Sequence, residues 1–180
     1  RQIDRGQQLL QQDDLEAALA AFQEAARLDP RLAVAHSNQG RIYRRLGDYD
    51  HAIRAFVEAI RRDPWSFDDT LNLAQLYHFT NRIKEAIQAY LRAIELKPND
   101  GDALLNLGVC YQQAGDFEQA AQRFQQAIAL DDSQPHAFVN LGVALDAQKK
   151  YYEAVRAYKD ALERDSHQPI VLVNLAQTYM

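Results

Sequence analysis

The amino-acid sequence predicts an all-α protein built from antiparallel helix pairs that repeat every 34 residues. The first observation is a phrase that recurs at this spacing, as NQGRIYRRLGD at 38–48, NLAQLYHFTNR at 72–82 and NLGVCYQQAGD at 106–116. The second is composition, because the 180 residues include only 7 Gly and 5 Pro and are rich in Ala, Leu, Gln and Glu. The third is an apolar stripe at i, i+3, i+4 and i+7, which is typical of one helix face.

Small and aromatic residues recur in fixed columns at the same period. The second helix of each pair carries an Ala column, and an aromatic column follows four residues later, which reads Phe22, Phe56, Tyr90, Phe124 and Tyr158. The first helix carries a column that reads Gly6, Gly40, Ala74, Gly108, Gly142 and Ala176. We expect Gly108 to face Ala120 across the hairpin, with Phe124 filling the volume beside them. Gly inside a helix costs about 1 kcal/mol relative to Ala, so close packing has to outweigh that cost.

Five helix pairs and one further helix follow in chain order. The predicted pairs are 1–12 with 15–28, 33–46 with 49–62, 67–80 with 83–96, 101–114 with 117–130, and 135–148 with 151–164. Prolines mark the boundaries: three end a pair, and two suit the first turn of a helix, where a missing N–H costs nothing; they are Pro30, Pro64, Pro98, Pro135 and Pro169. The segment PIVLVNLAQTYM at 169–180 is a first helix without a partner.

Each pair turns at a residue that can adopt the left-handed conformation that ends many helices. Gly115 suits this conformation, since glycine has no Cβ, and Asn81 can take the same role. Asp13 and Lys149 occupy the equivalent positions in their pairs and fit them less well.

This pattern resembles the tetratricopeptide repeat, a helix–turn–helix unit with the signature W-x2-L-G-x2-Y, A-x3-F and P. The strongest matches lie in two copies and are Leu73, Ala74, Tyr77, Ala86, Tyr90, Pro98, Leu107, Gly108, Tyr111, Ala120 and Phe124. The departures from the signature are His36, Thr70, Gln39, Asp132 and Ser166. The resemblance covers essentially the whole chain and implies a right-handed α-solenoid, the α-α superhelix of this family.

A single domain is expected to span 1–180. Its repeats lie at about 1–30, 31–64, 65–98, 99–132 and 133–166, and a lone first helix occupies 167–180. Repeat arrays need a polar cap at each end. The apolar stripe of the last helix is uncovered and no capping residue precedes Arg1, so we expect the chain to be a fragment of a longer protein.

Charge and composition disfavour several classes of function. The net charge of −5 and the pI of about 5.5 argue against a nucleic-acid-binding protein. No run of about 18 apolar residues occurs, so insertion into a membrane is not expected. One Cys and the lack of a signal peptide fit a reducing compartment, and a cytoplasmic location is expected.

Residue patterns also give little support to an enzyme. The five His occupy different columns and no two are four residues apart, so no helical metal pair is predicted. Cys110 shares a column with Ile42, Leu76 and Ala144, which indicates a small buried packing residue. We therefore expect no catalytic residue and no cofactor.

One column consists of asparagine in every copy and reads Asn38, Asn72, Asn106, Asn140 and Asn174. At 100° per residue, Asn106 lies about 200° from Leu104, on the face opposite the core. The family resemblance implies that the first helices line a concave groove, and the repeat region of O-linked N-acetylglucosamine transferases carries a similar ladder. Amides can pair with the backbone of an extended peptide whatever its side chains. Alternatively, these asparagines bond neighbouring helices as part of the family consensus.

Further candidate peptide-binding residues surround this asparagine column. They are Arg41, Arg45, Leu71, Gln75, Leu105 and Val109. Arg41 and Arg45, together with Arg44, make the upstream end basic, whereas residues 99–132 carry Arg123 alone against six acids. Leu71 and Leu105 form apolar pockets for ligand side chains, or they pack against the next first helix.

The sequence thus predicts a scaffold module that binds a protein or an extended peptide segment in the concave groove of the repeats. Two alternatives stay open. One is the substrate-recruiting region of a larger enzyme such as a glycosyltransferase. The other is a self-assembly module, in which exposed terminal helices give weak self-association.

Overall fold

The computed structural model describes residues 1–179, and this part of the chain contains eleven α-helices and no strand. The helices are α1 (Gln2–Gln11), α2 (Leu15–Leu28), α3 (Ala33–Arg45), α4 (Tyr49–Arg62), α5 (Phe67–Phe79), α6 (Ile83–Leu96), α7 (Gly101–Gln113), α8 (Phe117–Leu130), α9 (Pro135–Ala147), α10 (Tyr151–Arg164) and α11 (Pro169–Thr178). The predicted all-α solenoid fold class and its helix-pair period are confirmed. The second helix of every pair has its predicted bounds, and the first helices end one residue earlier than predicted. Position 180 lies outside the described residues.

The five hairpin turns share one backbone conformation. A left-handed residue stands at the same point in each turn, and the residues and φ angles are Asp13 (61°), Gly47 (77°), Asn81 (59°), Gly115 (82°) and Lys149 (62°). The next N–H then donates to the carbonyl five residues back, as from Asp116 to Tyr111 at 2.9 Å and from Lys150 to Leu145 at 2.9 Å. The left-handed residue itself donates to the carbonyl three residues back, as from Gly115 to Gln112 at 3.0 Å. Together these two hydrogen bonds form the Schellman motif. Asp13 and Lys149 therefore adopt the conformation for which they were judged less suitable.

Aspartates begin the second helices of the first, second and fourth pairs. The carboxylates of Asp14, Asp48 and Asp116 accept hydrogen bonds from the N–H groups of the third residue beyond them, at 3.1, 3.2 and 3.1 Å. This satisfies N–H groups that a helix start leaves unpaired. Lys150 holds the equivalent place before α10 and makes no side-chain cap.

The chain divides into two compact units, and the first comprises residues 1–85. Its core lies within the helix pairs and includes Ala18, Phe22, Ile42, Ala52, Ile53, Phe56, Leu73 and Leu76. The rings of Phe22 and Phe56 lie directly against the backbone of Gly6 and Gly40, so close that a Cβ on either glycine would be within 2.7 or 2.9 Å of the ring. The glycine column is thus explained by aromatic rings that need the space.

The second unit begins at residue 86 and repeats this packing. Its core includes Ala120, Ala121, Phe124, Leu141, Ala144, Leu145, Ala154, Ala157, Tyr158 and Val171. A Cβ on Gly108 would lie 2.5 Å from the ring of Phe124, and a Cβ on Gly142 would lie 2.5 Å from the ring of Tyr158. The Phe124 ring lies beside Gly108 as expected, and the facing of Gly108 and Ala120 stays a prediction.

Two arginines tie the end of a second helix to the preceding interrepeat loop. In unit 1, Arg62 donates from Nε to the Pro30 carbonyl at 2.5 Å and pairs with Glu58. In unit 2, Arg164 bonds the Asp132 carbonyl in the same way, and its guanidinium lies 4.0 Å over the ring of Phe138. Each side chain thereby satisfies a loop carbonyl that has no helical partner.

Candidate functional site

The first helices of unit 1 present a polar face beside an aromatic ring. On α3 the residues Val34, Asn38, Arg41 and Arg45 share one side, and on α5 the residues Asp68, Asn72, Gln75 and Phe79 share one side at the same spacing. We call these eight residues the unit 1 face. Arg41 and Arg45 are exposed. The Phe79 side chain is 69% exposed, although the centroid of its ring lies 4.8 Å from that of Tyr49.

The two asparagines of the unit 1 face bond their own helices. Asn38 is buried and donates from Nδ2 to the Val34 carbonyl at 2.9 Å. Asn72 is half-buried and donates to the Asp68 carbonyl at 2.7 Å. Each amide carries two N–H hydrogens, so this bond leaves one donor over.

The basic residues on α3 differ in their contacts. Arg44 reaches from α3 to α5, where its Nη1 donates to Asn72 Oδ1 at 2.7 Å and to Gln75 Oε1 at 3.2 Å. Arg45 pairs with Asp13 at 2.6 Å, an exposed pair that solvent screens. Arg41 makes no ion pair within residues 1–179. Of the three, Arg41 is therefore the cation most available to a ligand.

Sequence reasoning left Arg44 and Phe79 out of the candidate set. On the helical wheel Arg44 lies off the Asn38 face, and only the length of its side chain brings the guanidinium to Asn72. Phe79 stands seven residues after Asn72, a spacing of two turns that already places both on one face. The spacing alone places Phe79 on this face, whereas the reach of Arg44 depends on its rotamer.

The corresponding candidates in unit 2 are half-buried. They are Leu105, Asn106, Val109, Asn140 and Asn174. Leu105 and Val109 pack against the buried cluster of this unit, which favours the packing alternative for these two side chains. Leu105 also borders a small pocket of about 60 Å³ together with Asp102, His136 and Asp131. Leu71, in unit 1, is half-buried as well.

Asn174 lies close to the helix before it. Its side chain is near the hydroxyl of Tyr158 on α10. Burial, together with the nearby Asp146 carboxylate, raises the pKa of Tyr158 to about 12, so the phenol stays protonated at neutral pH. On α11, the Thr178 hydroxyl donates to Asp146 at 3.2 Å. At this position the asparagine faces the neighbouring helix α10.

Groups with catalytic potential are placed unfavourably for chemistry. Cys110 is buried, and burial raises the pKa of its thiol to about 12, so the reactive thiolate is not formed at neutral pH. Across residues 1–179, no three His, Cys, Asp or Glu side chains are grouped so that they could hold a metal ion. No helix in the same part of the chain is both long and apolar enough to cross a bilayer.

Family profiles described as tetratricopeptide repeat match residues 3–69, 37–103, 81–139 and 136–164. The chain belongs to the tetratricopeptide repeat family. A search of curated proteins returns no match.

Several solved structures share the fold. YrrB, described as "a TPR protein with an unusual peptide-binding site", superimposes with a TM-score of 0.87 at 24% identity, over 99% of this chain and 91% of YrrB. The MamA protein gives a TM-score of 0.85 at 24% identity, over 92% of this chain and 90% of MamA. The pilF protein of Pseudomonas aeruginosa gives 0.74 at 22% identity, over 99% of this chain and 82% of pilF.

Proposed function

We propose that this tetratricopeptide repeat chain is a protein- or peptide-binding scaffold whose unit 1 face binds an extended acidic segment. The observation that carries the proposal is the exposed guanidinium of Arg41, which forms no ion pair among residues 1–179. It lies beside Arg45 on a face that also holds amides and Phe79. Guanidinium groups bind carboxylates with paired, charge-assisted hydrogen bonds. An exposed aromatic ring beside them gives an apolar contact for a neighbouring side chain.

The amides of this face supply contacts that do not depend on ligand sequence. Arg44 holds the Asn72 oxygen and the Asn72 amide bonds Asp68, so the side chain is oriented before a ligand arrives. The second N–H of the Asn72 amide can then donate to a peptide carbonyl. A preorganised donor loses less side-chain entropy on binding than a free one. Asn38, being buried, contributes less than Asn72.

One finding on another protein and one general property of the repeat support a binding role without assigning a ligand. YrrB is described as having a peptide-binding site, and this chain shares its fold. Tetratricopeptide repeats stack into extended surfaces that suit long, regular ligands. Transfer of peptide binding to the unit 1 face is our inference from the side chains on that face.

A screen of displayed peptides tests the proposal. We expect acidic peptides to be enriched, and their affinity to fall as the salt concentration rises, because exposed charges are screened. Changing Arg41 and Arg45 to Ala should weaken the binding of acidic peptides by about 0.2–1 kcal/mol for each ion pair lost. It should also reduce the dependence of their affinity on salt concentration. Arg54→Ala on α4 removes an exposed positive charge away from the unit 1 face and serves as the matched control. Equal enrichment of basic peptides would contradict the proposal.

Self-association is a second candidate function, favoured by α11. This helix exposes Ile170 (61%), Leu172 (56%), Val173 (51%) and Tyr179 (66%). Apolar faces of this kind usually find partners. Sedimentation over a range of protein concentrations tests it, with Leu172→Glu as the variant that should stay monomeric.

The narrower resemblance to glycosyltransferase repeat regions stays a prediction. It rests on the asparagine column, and the matched family profiles describe the repeat in general. A role in recruiting substrates to a larger enzyme would use the same unit 1 face and the same acidic segments.

A further inference from the structure

A pocket of about 360 Å³ opens in unit 2 between α8, α9 and α10. Its apolar floor includes Phe138, Leu141 and Leu145 of α9, which lie on a different side of that helix from Asn140. Gln125 of α8 stands at one edge, and Glu153 and Asp160 of α10 stand at the other. The pocket therefore differs from the first-helix faces and uses none of their candidate residues.

The repeat shows what is missing from this pocket. Leu145 belongs to a column that reads Leu9, Tyr43, Tyr77, Tyr111, Leu145 and Tyr179. Three repeats earlier in unit 1, the Tyr43 ring stacks on His51 with centroids 5.0 Å apart. The Tyr43 hydroxyl also accepts a hydrogen bond from Gln23 Nε2 at 3.0 Å.

The residues equivalent to these two neighbours of Tyr43 line the pocket. Gln125 stands three repeats after Gln23, and Glu153 stands three repeats after His51. Leu145 is shorter than tyrosine and has no hydroxyl, so this position offers no phenol to the Gln125 amide. The pocket thus lies beside the unit 2 position that corresponds to that of the Tyr43 ring in unit 1.

We propose that this tyrosine pocket binds a tyrosine side chain supplied by a partner protein, with a basic residue next to that tyrosine. Tyrosine suits a site with an apolar floor and a polar edge, because its ring is apolar and its hydroxyl bonds an amide. The Arg164 guanidinium lies 4.0 Å from the centroid of the Phe138 ring, which leaves less of this ring to a ligand. The incoming ring therefore lies over Leu141 and Leu145.

Charge at the rim selects the neighbour of that tyrosine. Glu153, Arg156 and Asp160 follow one another along the α10 side of the pocket, giving two negative charges and one positive charge. Neither carboxylate forms an ion pair in the part of the chain that the structure describes. The excess negative charge favours a Lys or Arg beside the tyrosine and disfavours an acidic residue there.

The first test uses the probe acetyl-Tyr-Lys-amide and methyl NMR of the whole chain. We expect saturable shifts at Leu141 and Leu145. Leu145→Tyr restores the residue of the column and puts its own ring into the pocket, so it should weaken binding of the probe about tenfold or more. Leu130→Tyr makes the same change at an exposed position on α8 outside the pocket and should leave binding unchanged. No saturable binding, or equal binding by Leu145→Tyr, would overturn the proposal.

A second test separates the ring from the charge and does not depend on how Leu145→Tyr folds. Acetyl-Leu-Lys-amide and acetyl-Tyr-Glu-amide should both bind more weakly than acetyl-Tyr-Lys-amide, the latter by about two- to fivefold as expected for exposed charge pairs. Glu153→Lys changes only an exposed side chain and should remove the preference for Lys over Glu. If Glu153→Lys keeps the preference for Lys over Glu, or if the parent shows no such preference, the charge selection is refuted.

Discussion

Single side chains determine how closely the two helices of a pair approach. The ring of Phe124 is completely buried against Gly108, where even one methyl group would lie 2.5 Å from a ring carbon. Gly101 begins the same helix, α7, with open space around it. The two glycines of α7 thus face opposite steric conditions.

This contrast gives a prediction for alanine substitutions. Gly108→Ala should lower the free energy of unfolding by about 1–3 kcal/mol, because the ring has to move in a packed core. Gly101→Ala is the matched control and should cost nothing, since its Cβ would meet no atom within 4 Å. Urea denaturation measures both. If the two variants are equally stable, the ring does not constrain the approach of the helices.

Deleting the ring itself should cost more than crowding it. Phe124→Ala should lower the free energy of unfolding by about 3–5 kcal/mol, because it removes the largest buried group of the hairpin and leaves a cavity. Phe117→Ala, at the half-buried start of the same helix, should cost less. A Phe124→Ala protein that melts with the parent would show that this ring is not central to the core.

His36 should make stability depend on pH. Its Nε2 is buried without a hydrogen-bond partner in the described structure, and burial lowers its pKa below the ordinary value of about 6.5. Nearby Arg62 lowers the pKa further, while Glu58 raises it. The unfolded chain therefore binds the proton more readily, so this contribution to stability is present above about pH 6.5 and is lost as the pH falls through it.

The test replaces His36 by Phe, the residue that unit 2 has three repeats later as Phe138. Between about pH 7.5 and 5.5, the free energy of unfolding of His36→Phe should fall less than that of the parent. His136→Phe, at an exposed position on α9, should keep the slope of the parent. An unchanged slope in His36→Phe would show that His36 is not the titrating group.

At the scale of helices and turns, a shared backbone motif overrides local preference. Lys149 occupies the same turn as the four other hairpins. Its φ of 62° is positive because the hydrogen bonds that close this turn require that conformation. A left-handed conformation costs a residue with a Cβ about 1–2 kcal/mol. Lys149→Gly should therefore raise the free energy of unfolding, by about 1 kcal/mol after the greater freedom of glycine in the unfolded chain is counted.

The reverse change tests the same argument in the fourth pair. Gly115→Lys should lower the free energy of unfolding by a similar amount, and nothing crowds that position, so only the backbone conformation is affected. Both variants can be followed by urea denaturation. A loss of stability in Lys149→Gly would show that contacts of the lysine side chain outweigh the conformational cost.

Helix positions were predictable from the sequence because several signals coincide at each boundary. The Ala and aromatic columns, the turn residues and the prolines all repeat at 34 residues, and the second helices have their predicted bounds. Side-chain reach was not predictable in the same way. The contact of Arg44 with Asn72 depends on a rotamer, which the period of a sequence does not encode.

At the scale of the whole molecule, one repeat of unit 1 and one repeat of unit 2 carry net charges of opposite sign. Residues 31–64 in unit 1 carry seven Arg and four acids, whereas residues 99–132 in unit 2 carry one Arg and six acids. Long-range attraction raises the rate at which oppositely charged partners meet. Acidic segments should therefore associate with unit 1 faster at low salt, and the rate should fall as salt is added.

The asparagine column gives the last prediction, which separates backbone recognition from charge. A neutral peptide that binds the parent protein is the probe. Asn72→Ala should weaken its binding by about 0.5–1.5 kcal/mol, the net free energy of one hydrogen bond, whatever the peptide sequence. Asn72→Asp is the matched control, because it keeps the oxygen that Arg44 bonds and removes the N–H donors. If donation to the peptide backbone matters, both variants lose affinity in calorimetry. If only Asn72→Ala loses affinity, Asn72 acts by positioning Arg44, and if neither does, the asparagine serves only to join α3 and α5.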